Sequence, residues 1–203
     1  MRKREVKLVL FDLDGVLVDS IDAWHHVFND TLTYFYLKKV SKREFRKDFG
    51  APIEHDMKKY FKGKTVKEVV SVFVSNFKKS AVHVKLFPQS MYVLKNLKKK
   101  NVKTGLITNS TKPIVLTVLN DLKLKEYFNV VVTMDDVRRR KPAPDMVLKA
   151  CKKLKVSPKN TILIGDTIND ILAGKRAGCI TIGYKTNSQF RISNLKEILE
   201  YVK

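Results

Sequence analysis

The sequence predicts an α/β fold in which a parallel sheet, wound with helices on both faces, is interrupted by a helical insert. Three observations carry this expectation. Short apolar runs recur at Val6–Phe11, Val102–Ile107, Val130–Thr133, Thr161–Ile164 and Cys179–Ile182, with the length and composition of buried strands. Segments of helical periodicity separate the later runs, and strand alternating with helix is the pattern of a doubly wound parallel sheet. From about Ile21 to Val82 the alternation stops and the pattern is helical throughout. That stretch, roughly 60 residues, far exceeds an ordinary connection.

Each element has a local reason. Val6–Phe11 is apolar up to Asp12 and Asp14, which end it. In the insert, Trp24, Val27, Phe28, Leu32 and Phe35 fall on one helical face. Ser41 with Glu44 and Thr65 with Glu68 read as capping boxes, and Gly50 as the stop of the helix that Ser41 opens. Val69, Val70, Phe73 and Phe77 form the apolar side of the helix after Thr65. Ser110 and Thr111 cap a helix over Lys112–Leu122. Met146, Val147, Ala150 and Leu154 mark a helix over Ala143–Leu154. Ile168–Ala177 ends at Gly178, and Asn194 with Glu197 opens the last helix. The division expected is a core of residues 1–16 and 86–203 carrying an insert over 17–85.

The chain has 203 residues, enough for a hydrophobic core without staples. No apolar run approaches the ~18 residues that span a bilayer. The basic start Met1–Arg4 could open a signal peptide, but Asp12 and Asp14 break the following apolar stretch and no small-residue cleavage site follows. A cytoplasmic protein without membrane association is therefore expected. Cys151 and Cys179 have neither metal nor redox spacing and read as isolated, buried structural thiols. The net charge of +21 comes from lysines scattered along the chain without a basic tail, the pattern of solvated helix faces.

Two acidic clusters stand where ligands bind in open parallel sheets, just beyond the carboxyl ends of strands. Asp12 and Asp14 follow the first strand, two residues apart, before Gly15. Asp166 and Asp170 follow Thr161–Ile164 within Gly165-Asp-Thr-Ile-Asn-Asp170 and share one side if a helix opens there. Asp is also a turn and N-cap residue, so one member of the second pair could serve only as a cap. Two such clusters at one edge repel without a cation, and hard oxygen ligands suit Mg²⁺. Thr108, Asn109 and Ser110 end another strand before a helix, where hydroxyls and backbone N–H groups can hold a phosphate. Lys141 is framed by Pro142 and Pro144, which fix its place before a helix.

Taken in order, Asp12-Leu-Asp-Gly-Val-Leu-Val-Asp-Ser20, Thr108-Asn109, Lys141-Pro-Ala-Pro-Asp145 and Gly165-Asp-Thr-Ile-Asn-Asp170 resemble the motifs of the haloacid dehalogenase superfamily, phosphatase branch. Ala173-Gly-Lys-Arg-Ala-Gly178 is similar to its phosphoglycolate phosphatase and β-phosphoglucomutase group. The resemblance implies a Rossmann-like core with an inserted all-helical cap domain, and a Mg²⁺-dependent hydrolase of a small phosphorylated metabolite. Asp12 would attack phosphorus and form an aspartyl-phosphate. Asp14 would protonate the leaving alcohol, then activate water, while its backbone carbonyl joins Asp12, Asp166 and Asp170 in holding the metal. Thr108 and the Asn109 backbone would bind phosphate oxygens, and Lys141 would offset charge on phosphate and nucleophile. Gly50-Ala51-Pro52, between two cap helices, would match the family's specificity loop, with Arg46 and Lys47 nearby.

Asp14 separates the branches, since the superfamily's dehalogenases lack an acid two residues beyond the nucleophile. The mutases of the group carry a histidine where this chain has Trp24, and the neighbouring His25 and His26 are turned away by ~100° per residue. A sugar-phosphate mutase is thus the second expectation. A nucleic-acid- or protein-binding module on the same fold is a third, suggested only by the charge. Neither an RNA-binding aromatic signature nor a helix-turn-helix pattern accompanies that charge, so nucleic acid is not an expected partner.

Overall fold

The computed structural model describes residues 5–202, so the basic start Met1–Arg4 lies outside it. In chain order the elements are β1 (Leu8–Phe11), β2 (Val18–Asp19), α1 (Ile21–Tyr34), α2 (Lys42–Asp48), α3 (Ile53–Lys59), α4 (Val66–Ser80) and β3 (Lys85–Leu86). There follow α5 (Ser90–Lys99), β4 (Lys103–Ile107), α6 (Lys112–Asp121), β5 (Val130–Val132), α7 (Asp145–Leu154), β6 (Thr161–Gly165), α8 (Ile168–Ala177), β7 (Ile180–Tyr184), β8 (Phe190–Ile192) and α9 (Ile198–Tyr201). The chain forms two compact units, one from the segment up to Asp19 together with Leu86 onward, the other from Ser20–Lys85. Among the described residues, no helix is long and apolar enough to cross a membrane.

The first unit is built on a six-stranded sheet in the order β5-β4-β1-β6-β7-β8, with every pairing parallel. Its central strands are buried along their whole length, which explains their unbroken apolar sequences. β1 lies between β4 and β6, and Phe11 is level with both Leu106 and Ile164. The residues that follow these strands therefore emerge side by side at one edge, where the strand order reverses direction, the usual ligand position of such sheets.

Several boundaries differ from the expected ones for local reasons. Lys7 donates its N–H to Asn160 at 2.9 Å, and the ladder of β1 begins only at Leu8. α7 starts at Asp145 because Pro144 occupies its N-cap. Cys179 does not open β7: its N–H closes on the Gly174 carbonyl at 3.0 Å, completing the α8 terminus over left-handed Gly178. The Asn194–Glu197 box opens a single 3₁₀ turn that α9 continues. α5 was not anticipated, because lysines surround its buried Val93, Leu94 and Leu97. Nor are the two cysteines isolated: the two thiols are neighbours, and Cys151 Sγ lies 3.5 Å from Thr161 Oγ1. Cys151 is buried, whereas Cys179 is half-buried.

The second unit is helical. The capping boxes at Ser41 and Thr65 both form, fixing the starts of α2 and α4. Its interior is aromatic: Phe28 meets Phe45, Tyr60 and Phe61 at centroid distances of 5.2, 5.1 and 5.2 Å. Trp24 packs against Phe73 and Phe77 at 5.9 and 5.2 Å. His25 Nε2 lies 3.0 Å from the Val40 carbonyl oxygen, and the His26 ring stacks on His83 at 4.6 Å.

Candidate active site

The strand ends of the core unit bring Asp12, Asp166, Asp170 and Lys141 together. Asp12 stands one residue past β1, its N–H donated to the Ile164 carbonyl at 3.0 Å. Carboxylate oxygens of Asp12, Asp166 and Asp170 lie within 4.8 Å of one another, the arrangement of a cation site. Lys141 Nζ donates to Asp12 Oδ1 at 2.7 Å, to Asp170 Oδ1 at 2.6 Å and to the Ile107 carbonyl at 3.3 Å. These three bonds use all the donors of the ammonium, and Lys141 is only 2% exposed.

Asp170 combines two tasks that the sequence left as alternatives. Its N–H bonds Thr167 Oγ1 at 3.4 Å, and its Oδ2 accepts from the Thr167 hydroxyl at 2.6 Å and the Thr167 N–H at 3.1 Å. This capping box starts α8 while Oδ1 faces Lys141. Asp166 is the contrast: its Oδ1 is buried without a hydrogen-bond partner. The backbone leaves no slack around either residue. A Cβ on Gly15, at φ +79°, would stand 2.0 Å from Asp166 Oδ2, and one on Gly165 would stand 2.0 Å from the Asp170 Cβ.

Electrostatics at this edge are unbalanced. Burial pushes Asp12 well above the ordinary carboxylate range; Lys141 opposes this, while Asp170, Asp166 and Asp14 add to it. Burial, followed by the neighbouring Asp170 charge, lifts Asp166 to about 7. Lys141 is destabilised as a cation by burial, yet Asp12 and Asp170 more than reverse this and hold it protonated. One ammonium thus faces three clustered carboxylates. A divalent cation fits the remaining charge, and the unpartnered Asp166 Oδ1 supplies a ligand atom for it.

Asp14 is half-buried beside this cluster, and its Oδ2 accepts from Ser110 Oγ at 3.3 Å. Thr108 is buried, its N–H bonded to the Val132 carbonyl and its Oγ1 accepting from the Ser110 N–H at 3.1 Å. The Asn109 side chain bonds the backbone of Lys141. Ser110 reads in the sequence as a helix cap and phosphate-side hydroxyl, and the Asn109 amide has no task there; both lie inside the Thr108-Asn109-Ser110 motif, but their partners Asp14 and Lys141 are distant in the chain. Arg46 and Lys47 occupy the last turn of α2, and Gly50 lies beyond it at φ +86°, all within the helical unit.

Comparisons with known proteins bear on the family and the fold. The family model of haloacid dehalogenase-like hydrolases matches residues 9–184. A phosphoglycolate phosphatase of Aquifex aeolicus is 33% identical over an alignment of 204 positions that covers 98% of this chain and 96% of that protein. The pyrophosphatase PpaX of Bacillus mycoides is 32% identical over 179 residues, covering 88% of this chain and 83% of that one. Among solved structures, CbbY from Rhodobacter sphaeroides in complex with phosphate superposes with a TM-score of 0.83 at 20% identity, over 95% of this chain and 96% of that one. At that identity the superposition speaks to the fold.

Proposed function

The chain belongs to the haloacid dehalogenase-like hydrolases, and from that premise we propose that it is a Mg²⁺-dependent phosphatase of a small phosphomonoester, acting through an aspartyl-phosphate on Asp12. The observation that carries this reading is the buried Asp12–Lys141 contact of 2.7 Å within the three-carboxylate cluster. Such a nucleophile needs positive charge beside it. Two unit charges ~4 Å apart at an effective dielectric near 20 repel by about 4 kcal/mol, which opposes a carboxylate approaching a phosphate. Lys141 offsets part of that repulsion. A divalent ion held by Asp12, Asp166 and the Asp14 carbonyl, with Asp170 in support, would polarise the phosphoryl oxygens and favour the ionised form of Asp12.

In this mechanism an Asp12 oxygen bonds to phosphorus as the bond to the substrate's alcohol oxygen breaks. Asp14, as the acid, gives that oxygen its proton. The Asp14 carboxylate then takes a proton from water, whose oxygen attacks phosphorus and releases phosphate and free Asp12. Thr108 Oγ1 and the Asn109 backbone N–H are the donors assigned to the phosphoryl oxygens. The Ser110 hydroxyl donates to Asp14 Oδ2 at 3.3 Å, a contact to the carboxylate assigned as acid and base. By the sequence resemblance Trp24 stands at the mutases' histidine position, and here its indole packs against Phe73 and Phe77, which favours hydrolysis.

The test is a phosphate-release screen with Mg²⁺ over phosphoglycolate, pyrophosphate, sugar phosphates and nucleoside monophosphates. We expect turnover of at least one compound, abolished by EDTA and by Asp12→Asn. Absence of release from the whole panel, or equal release by Asp12→Asn, would overturn the proposal.

A further inference from the structure

The Asn109 side chain makes a two-point contact with a single residue. Its Nδ2 donates to the Lys141 carbonyl at 3.1 Å, and its Oδ1 accepts from the Lys141 N–H at 3.1 Å. The amide thereby substitutes for the peptide of a neighbouring strand and satisfies both backbone groups of Lys141. The contact joins two loops that leave different strands, the one after β4 and the long one between β5 and α7.

Lysine has a flexible four-carbon stem, and ordering such a side chain costs up to about 2 kcal/mol of rotamer freedom. The ammonium of Lys141 must still meet three acceptors at once: Asp12, Asp170 and the Ile107 carbonyl. It can do so reproducibly only if the Cα from which the stem departs is fixed. Pro142 and Pro144 restrict the backbone after Lys141. The residues before it, Arg138, Arg139 and Arg140, include no proline. The Asn109 amide grips the chain between these two segments.

We propose that the Asn109 side chain is a positioning residue that acts on catalysis through the Lys141 ammonium, separately from any phosphate contact made by its backbone. This rests on the reading above, in which Lys141 is the charge partner of the Asp12 nucleophile. Replacing the side chain removes both tethers and leaves the backbone N–H at position 109 in place. A small displacement of a catalytic group lowers rate by up to ~10²-fold.

A double-mutant cycle on p-nitrophenyl phosphate with Mg²⁺ tests it, using Asn109→Ala, Lys141→Ala and the combined variant. Lys141→Arg provides a second background where Lys141→Ala turns over too slowly to follow. Asn109→Ala is expected to lower kcat/KM by about 10–100-fold, mainly through kcat. In a background that lacks Lys141 the same change is expected to have less than about a 2-fold effect. Asn109→Asp keeps the volume and one acceptor but sets an oxygen against the Lys141 carbonyl, so it should also slow turnover while melting near the wild type. Equal losses from Asn109→Ala with and without Lys141, or no loss from either Asn109 variant, would overturn the positioning role while leaving the phosphatase reading intact. Wild-type turnover by Lys141→Ala would overturn both.

Discussion

The two units of the chain bury opposite kinds of side chain. At the sheet edge of the core unit, Asp12, Asp170 and Lys141 are buried charges held by strand ends and a capping box. In the helical unit the interior is Phe28, Phe45, Phe61, Phe73 and Phe77, and its ion pairs, such as Lys59 with Asp48, lie toward the surface. Burying charge stores electrostatic free energy that a cation or phosphate can draw on. Burying aromatic rings stabilises the fold without creating any such site. A charge-neutralising substitution should therefore abolish chemistry in one unit, and a truncation should unfold the other.

The largest effect is expected from Asp12→Asn. Loss of the nucleophile should lower turnover by at least ~10³-fold, while the melting temperature stays within a few degrees, because Lys141 retains Asp170. Paired rate and melting measurements check this. A variant that keeps a tenth of the activity, or that fails to fold, would break the contrast. Phe28→Ala is the counterpart. Phe28 is 3% exposed among four aromatic neighbours, so truncation should destabilise by about 3–5 kcal/mol in urea unfolding. A loss below about 1 kcal/mol would show that the ring cluster is not the support of that unit.

Metal and pH give a third, smaller comparison. Asp166 is raised by burial to about 7 in the fold, against roughly 3.9 in the unfolded chain. The metal-free fold therefore binds the extra proton between these values. Its contribution to stability is complete below pH ~4 and is lost as pH rises through about 7. Mg²⁺ competes with that proton, so its stabilising effect should grow with pH. Melting in Mg²⁺ and in EDTA at pH 5 and pH 8 measures this; an equal gain at both would place the ion elsewhere.

The candidate site edge was legible in the sequence because its residues are local to strand ends. Asp12, Thr108 and Asp166 each follow an apolar run, and parallel pairing alone sets them side by side. Asp170 was legible as either cap or site residue, and the fold gives it both tasks because its two oxygens face different partners. What stayed hidden was pairing across long chain separations by residues without a local signature. The grip of Asn109 on Lys141 and the Ser110–Asp14 bond arise from loop placement, and the nearness of Cys151 to Cys179 from how α7 and the end of α8 pack. β8 was missed too: its three residues are too few to show a period.

The smallest predicted effect separates the two units most finely. Asp56, on α3, is also raised to about 7, and burial is again the main cause. Its basic neighbours His55 and Lys59 oppose the rise, but both also contact Asp48, His55 Nε2 at 3.2 Å and Lys59 Nζ at 2.7 Å, and Asp48 accepts the Tyr60 hydroxyl at 2.6 Å. Asp48 is accordingly held below the usual carboxylate range, first by Lys59 and then by Tyr60, whereas its charge raises Asp56 further. The signs are opposite. The contribution of Asp56 to stability is complete below pH ~4 and is lost as pH rises through about 7; that of Asp48 is present at neutral pH and is lost as pH falls through its lowered value. Asp56→Asn should thus raise the melting temperature by a few degrees at pH 8 and by distinctly less at pH 5. Asp48→Asn should lower it at pH 8. The raised carboxyl of Asp166 lies in a cluster that a cation can relieve, but the charges opposing Asp56 come from a single neighbouring carboxylate already paired with Lys59. The gain from Asp56→Asn should therefore be the same in Mg²⁺ and in EDTA, and a gain that vanished in Mg²⁺ would mean that the ion reaches the helical unit as well.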